Sequence, residues 1–104
     1  MHDNCSDVFA ALGDPTRLAV LDRLAAGAQS IVRLSEGAAM TRQAMTKHLY
    51  VLERAGLVTC ARRGRTSLWS LERRRLDEAR AALDRMSRQW DTVLQSLRAF
   101  VEES

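Results

Sequence analysis

Apolar residues in the N-terminal part of the chain recur at three- and four-residue steps, the spacing of an amphipathic helix. The segment Asp7–Leu12 is short and rich in apolar residues, and it predicts a first helix. A second helix is predicted to begin at Pro15, because Asp14 is a favourable N-cap and proline suits the first helical position. Its predicted buried face consists of three leucines, Leu18, Leu21 and Leu24.

Two more helices are predicted next, joined by a tight turn. The first spans Ser30–Ala38, with Ile31 and Leu34 buried and Gly37 breaking the helix. The second spans Thr41–Ala55, because a threonine can cap the free backbone N–H groups at a helix start. Its apolar stripe consists of Met45, Leu49 and Leu52.

Only residues 58–71, VTCARRGRTSLWSL, depart clearly from the helical pattern. Their β-branched and aromatic residues favour strands, and Gly64 suits a tight turn. The segment therefore predicts a β-hairpin.

The pattern becomes helical again from about residue 72 to residue 101. Its apolar residues repeat every seven positions in two series offset by three, as in a coiled coil. A helix of about 28 residues is ~42 Å long, more than a small domain can cover. Packing onto the chain's own core is one alternative, but two bulky aromatics near the far end favour a second copy of the chain. The predicted dimer interface is Leu76, Leu83, Met86, Trp90, Val93, Leu97 and Phe100.

The predicted order of elements is typical of one fold. Two helices joined by a tight turn and followed by a hairpin form a winged helix-turn-helix. A chain of 104 residues fits one domain. We therefore expect a mainly α fold with a small β-hairpin, a single domain over residues 1–104, and a dimerisation helix over about 72–101.

The positive charge is concentrated in the middle of the chain. The net charge is only +3, but residues 41–75 contain nine Lys/Arg and two Glu, a net charge of +7. Such a basic segment favours a polyanion as partner, although a solvated surface is the alternative.

The outward face of Thr41–Ala55 predicts how that partner is bound. With the apolar stripe inward, Arg42, Gln43, Thr46, Lys47 and Tyr50 point outward. Arginine can bridge guanine O6 and N7, and glutamine can bridge adenine N6 and N7. The hairpin tip adds three cations suited to phosphate or the minor groove, namely Arg62, Arg63 and Arg65.

The chain carries no motif for catalysis. His48 lies at the edge of an apolar stripe, so a half-buried structural role is expected, and no nucleophile motif accompanies it. Cys5 and Cys60 are far apart and form no CxxC motif, which suits a reducing cytosol. No apolar run approaches the ~20 residues of a membrane span, and the N-terminus does not resemble a signal peptide. We expect a cytoplasmic protein that is not an enzyme.

Three segments, FAALGDPTRLAVLDRL, LSEGAAMTRQAMTKHLYVLERAGLV and the RRGR hairpin, closely resemble the ArsR/SmtB (arsenical-resistance repressor) family of bacterial winged-helix regulators. The resemblance covers roughly residues 7–100. It implies a homodimeric repressor that binds inverted-repeat operators and dimerises through its first and last helices. It also implies a contact of His48 with the DNA backbone, and base contacts by Thr41, Arg42, Gln43, Thr46 and Lys47.

The sequence departs from this family where metal sensors bind their ion. Residues 30–38 contain no cysteine, and residues 72–104 contain neither histidine nor cysteine. We therefore expect no metal site and no cofactor, and the effector is unknown. Two alternatives stay open. One is a repressor of the same fold that senses a metalloid or thiol oxidation through Cys5 and Cys60. The other is a helical protein-interaction module.

Overall fold

The computed structural model describes residues 5–103 and confirms the mainly helical fold with a small antiparallel sheet. The helices begin and end within one or two residues of the predicted positions. In chain order the elements are α1 (Ser6–Leu12), α2 (Pro15–Ala25), β1 (Gln29–Ser30), α3 (Ile31–Gly37), α4 (Arg42–Arg54), β2 (Val58–Arg63), β3 (Thr66–Leu71) and α5 (Arg73–Glu103).

Side-chain caps fix the starts of α2 and α4, as predicted. The Asp14 carboxylate accepts a hydrogen bond from the Arg17 N–H at 3.0 Å. The Thr41 hydroxyl accepts one from the Ala44 N–H at 3.1 Å. Each bond satisfies a backbone donor that has no partner inside its own helix.

The sheet contains one strand more than the predicted hairpin. β2 and β3 pair from Val58 opposite Leu71 to Arg63 opposite Thr66, and Gly64 in the turn has a φ of 63°. The additional strand, β1, pairs with the other edge of β3 and gives the order β1-β3-β2. A two-residue strand is too short for a periodic pattern, so the sequence does not indicate it.

The turn between α3 and α4 has features that the sequence does not indicate. Gly37 is the last residue of α3, so the helix ends where predicted, and the Arg23 guanidinium occupies the space that a Cβ at this position would need. That guanidinium donates to the carbonyl oxygens of Arg33 and Leu34, each at 3.0 Å. The residue that adopts a left-handed conformation is Ala39, with a φ of 53°.

The core lies between the helices and one face of the sheet. It includes the predicted stripe of α4, whose Met45, Leu49 and Leu52 are 0% exposed. Two predictions were wrong: Leu18 is 50% exposed, and Ile31 is only half-buried. The buried face of α2 instead consists of Val20, Leu21 and Leu24.

Candidate nucleic-acid interface

The N-terminal half of α4 presents the polar side chains that the sequence assigns to DNA. Thr41, Arg42, Gln43 and Lys47 are exposed, and Thr46 is half-buried. The Thr46 hydroxyl donates to the Arg42 carbonyl at 2.7 Å, so it remains available to a ligand as an acceptor. The apolar stripe fixes the rotation of α4 against the core, and this rotation turns the polar side chains of its N-terminal half outward.

The end of α4 sets where the hairpin begins. Gly56 has a φ of 79°, and its N–H donates to the Glu53 carbonyl at 2.9 Å. The N–H of buried Leu57 donates to the Leu52 carbonyl, also at 2.9 Å. This pair of bonds is a Schellman motif, which reverses the chain directly into β2.

His48 connects α4 to the corner between α1 and α2. It is half-buried, and its Nδ1 lies 3.5 Å from a guanidinium nitrogen of Arg17 and 3.8 Å from the Asp14 carboxylate. Arg17 also donates to the Ala11 carbonyl at 2.6 Å, at the end of α1. The position supports the predicted structural role of His48, whereas the contribution of Arg17 gave no signal in the sequence.

The carboxylate in this cluster is held in its charged form. The hydrogen bond from the Arg17 N–H lowers the pKa of Asp14, and the positive charges of Arg17 and His48 add to that shift. Partial burial opposes it by disfavouring the charge. Asp14 is therefore an anion throughout the pH range in which a histidine titrates.

The tip of the hairpin carries the three predicted cations. Arg62, Arg63 and Arg65 are all exposed. Arg62 lies opposite Ser67 and Arg63 opposite Thr66, so the two arginines occupy opposite faces of the hairpin. The alternation of side chains along β2 thus places positive charge on both faces of the wing.

Arg75 belongs to the basic segment by sequence but serves the fold. Its guanidinium donates to the Ala55 carbonyl at 3.3 Å, to Glu78 at 3.1 Å and to Asp7 at 2.9 Å. Arg75 therefore joins the end of α4 to both α1 and α5. Its charge is largely offset by the two carboxylates and contributes little to a surface that attracts polyanions.

Helix α5 leaves most of its apolar stripe exposed. Leu76 packs against the chain's own core and Ala79 is buried, so this end of α5 anchors the helix. Beyond them the stripe is 46–72% exposed at Leu83, Met86, Trp90, Val93, Leu97 and Phe100. Leu94 and Val101, which the heptad prediction omitted, are also exposed and widen the stripe.

The two cysteines differ in their surroundings. Cys5 is half-buried against the core, and Cys60 is exposed on β2, opposite Trp69. Over residues 5–103, no three His, Cys, Asp or Glu side chains come together as a group able to hold a metal ion. Within the same residues, no helix is long and apolar enough to cross a membrane.

The geometry is that of a winged helix-turn-helix module, and known proteins share it. A helix-turn-helix domain family matches residues 12–61. An uncharacterized HTH-type transcriptional regulator of Bacillus subtilis, YuzN, is 43% identical over 72 residues, which cover 62% of this chain and 78% of YuzN. The HTH-type transcriptional regulator Rv2034 of Mycobacterium tuberculosis is 36% identical over 77 residues, covering 74% of this chain and 72% of Rv2034.

A solved structure extends this similarity to the fold. The ArsR-like transcriptional regulator from Rhodococcus sp. RHA1 superposes with a TM-score of 0.81 at 32% identity, covering 92% of this chain and 91% of that one. The chain therefore belongs to the ArsR/SmtB family of winged helix-turn-helix transcriptional regulators, a non-enzymatic DNA-binding family. This membership favours a transcriptional regulator over a helical interaction module.

Proposed function

We propose that this regulator is a homodimeric repressor that binds inverted-repeat operator DNA in the cytoplasm without a metal site. The observation that carries the proposal is the exposed cluster at the N-terminal half of α4, with the arginine-bearing wing following directly after it. An α-helix fits the major groove of B-DNA, and the N-terminal residues of a recognition helix reach the base edges.

The side chains of this cluster have separate roles. Arg42 and Gln43 are exposed at the first turn of α4 and read bases through bidentate hydrogen bonds. Thr41, Thr46 and Lys47 contact bases or phosphates beside them. His48 lies deeper and supports α4, with a phosphate within reach of its outer edge.

The wing supplies contacts that do not depend on sequence. Arg62, Arg63 and Arg65 neutralise phosphates or enter the neighbouring minor groove. Such contacts fix the orientation of the protein on the duplex and make binding sensitive to salt.

Dimerisation accounts for the exposed stripe of α5. A contiguous apolar face of this size is typical of an interaction site. A twofold dimer also presents two copies of α4, which matches an inverted repeat. In this proposal α1 and α5 of the two copies form the interface.

The effector is a separate question, and the two cysteines keep one alternative open. A repressor that senses a metalloid or thiol oxidation would use Cys5 and Cys60, the latter being accessible on β2. The test compares operator affinity before and after mild oxidation in the native chain and in a Cys5→Ser/Cys60→Ser variant. A loss of affinity in the native chain alone would establish the sensing function, and equal affinities would exclude thiol oxidation as the signal.

The experiment that tests the proposal is a selection of duplex sites from a random pool, followed by binding measurements on the selected and on random DNA. Arg42→Ala and Gln43→Ala should each lose ~1–3 kcal/mol on the selected site and little on random DNA. Arg63→Ala should weaken both kinds of DNA alike, because phosphates carry no sequence information.

Arg88→Ala is the matched control, because this arginine is exposed on α5, outside the α4 and wing surface. It should leave both affinities nearly unchanged. Equal losses on selected and random DNA for Arg42→Ala and Gln43→Ala would overturn the assignment of base contacts to α4.

A further inference from the structure

A groove on the side of the domain is lined by three elements that meet at the base of the wing. Its walls are the end of α4 at residues 53–56, the start of β2 at residues 58–60, and Arg74 and Arg75 of α5 with Glu72 before them. Its volume is about 870 Å³, within the ~300–1,000 Å³ of small-molecule sites. The groove therefore has room for a small ligand, and its lining determines which kind.

Two arginines of this groove have no carboxylate partner. Arg54 and Arg74 are exposed, and neither forms an ion pair with any residue in the described range 5–103. Arg75 differs from them, because Asp7 and Glu78 offset its charge. A guanidinium binds a carboxylate or a phosphate through two parallel hydrogen bonds. Arg54 and Arg74, on different walls of one groove, are thus both available to an anion.

The position of Arg74 is unfavourable for the helix that carries it. The first turn of α5 contains Arg73, Arg74 and Arg75 and no acidic residue. The helix macrodipole places partial positive charge at this end, which disfavours cations. Departures from such local rules are typical of functional sites. An anion held by Arg74 would offset the excess positive charge of this turn.

We propose that the groove binds a small anion with a carboxylate or phosphate group, held by the guanidinium groups of Arg54 and Arg74. In the described part of the chain β2 pairs with β3 on one side only. The Leu57 carbonyl accepts from the Glu72 N–H at 2.8 Å, so the alternation of an antiparallel pair turns the N–H of Cys60 to the open edge. That N–H is a further donor beside the groove.

Two carboxylates restrict the ligand to a small anion. Glu53 and Glu72 also line the groove. Glu72 is partly committed, because its carboxylate accepts from the Arg74 N–H at 3.3 Å. The negative charges of both disfavour the repeated phosphates of a nucleic-acid backbone. A ligand with a single anionic group can instead lie against the arginines alone.

A bound anion changes the charge of the basic segment. A dianion on Arg54 and Arg74 cancels two positive charges between α4 and the wing. The positive field of the protein attracts the duplex, so DNA binding weakens. The anion thus acts as an inducer that lowers operator affinity, and this regulatory role rests on the proposed function.

Thermal unfolding of the full chain tests the site with two probes, inorganic phosphate and citrate, each compared with chloride at equal ionic strength. A ligand that binds only the folded state stabilises it, so at least one probe should raise the Tm of the native chain. Arg54→Gln/Arg74→Gln should lose most of this rise. Arg73→Gln is the matched control, because Arg73 lies in the same helical turn but does not line the groove, and it should keep the rise.

The two probes also distinguish the anionic groups. A rise with phosphate alone assigns a phosphate ligand, and a rise with citrate alone assigns a carboxylate. Equal rises in the native chain and in Arg54→Gln/Arg74→Gln would be the general stabilisation by excluded anions and would overturn the site. No rise with either probe would overturn it as well.

The reaction of Cys60 with N-ethylmaleimide locates the anion. In Cys5→Ser, Cys60 is the only thiol of the chain. The stabilising probe should slow its reaction severalfold, because a nearby negative charge disfavours the thiolate. Adding Arg54→Gln/Arg74→Gln should abolish the slowing. An unchanged rate in Cys5→Ser would overturn the placement of the anion in this groove.

Binding to a selected duplex separates the site from its regulatory role. At equal ionic strength, the stabilising probe should raise the DNA dissociation constant of the native chain severalfold more than that of Arg54→Gln/Arg74→Gln. Equal changes would overturn the regulatory role and leave the anion site standing. A native chain that binds no duplex would overturn the proposed function and the regulatory role together, again without effect on the anion site.

Discussion

Helices α4 and α5 have the same kind of apolar periodicity but opposite surroundings. The stripe of α4 is 0% exposed, whereas beyond Ala79 the stripe of α5 is about half exposed or more. The comparison shows that periodicity identifies which face of a helix is apolar but not what covers it. The apolar face of α4 is covered by the fold, and its opposite, polar face is exposed and forms the proposed DNA surface. The apolar face of α5 is covered only at its anchored end, and the rest is exposed and forms the proposed dimer interface.

Matched leucine substitutions make this difference measurable. Leu49→Ala on α4 should lower the free energy of unfolding by ~2–5 kcal/mol, because it leaves a cavity in a packed core. Leu97→Ala on α5 should lower it little when measured at concentrations where the chain is monomeric. Urea denaturation followed by circular dichroism checks both. Similar losses for the two variants would mean that α5 packs within its own chain.

Trp90→Ala tests the role of the exposed apolar stripe of α5. The substitution removes the Trp90 side chain of both protomers from the proposed dimer interface. Burial of an aromatic side chain contributes ~1.5–3 kcal/mol relative to an exposed one. The dimer dissociation constant should therefore rise by about 100-fold or more. Sedimentation equilibrium measures it, with Arg88→Ala as the exposed control on the same helix. An unchanged dissociation constant would move the interface away from α5.

A substitution in the turn before α4 should raise the free energy of unfolding, by less than the preceding substitutions change their measured quantities. Ala39 has a φ of 53°, a conformation that glycine adopts at lower cost than alanine. Ala39→Gly should stabilise the chain by ~0.5–1 kcal/mol, because relief of the left-handed strain exceeds the added unfolded-state entropy of glycine. Ala38→Gly, at an ordinary backbone conformation, should not stabilise it. Thermal unfolding measures the stability of both variants. A destabilised Ala39→Gly variant would contradict the claim that the backbone of Ala39 is strained.

Acid should weaken the attachment of α4 to the corner between α1 and α2. Because the pKa of Asp14 is lowered in the folded chain, its charge stabilises the fold above the unfolded value near 3.8. That contribution is lost as pH falls through the lower, folded pKa. Asp14→Asn keeps an N-cap acceptor and should flatten the loss of stability below about pH 4, while Asp22→Asn on the same helix serves as control. An equal loss of stability in acid for the native chain and for Asp14→Asn would show that the charge of Asp14 does not stabilise the fold.

The sequence was informative where local signals were strong. Caps at Asp14 and Thr41, the leucine spacing of α4 and the glycine at position 64 predicted the winged helix-turn-helix and the α4–wing surface. In contrast, the two-residue β1 and the left-handed Ala39 carry no pattern. Contacts between distant residues were also missed, as for Arg75 and Asp7, which lie 68 positions apart. Their geometry depends on the packed fold rather than on neighbouring residues.

The salt dependence of binding to a selected duplex site tests the central claim that α4 and the wing form a DNA interface. A dimer that neutralises several phosphates should show a slope of log K against log salt steeper than about −4, at ~0.9 per phosphate. Arg63→Ala should reduce the slope by about 2, one phosphate per protomer, while Arg88→Ala leaves it unchanged. A nearly flat dependence in the native chain, or a slope insensitive to Arg63→Ala, would contradict the account.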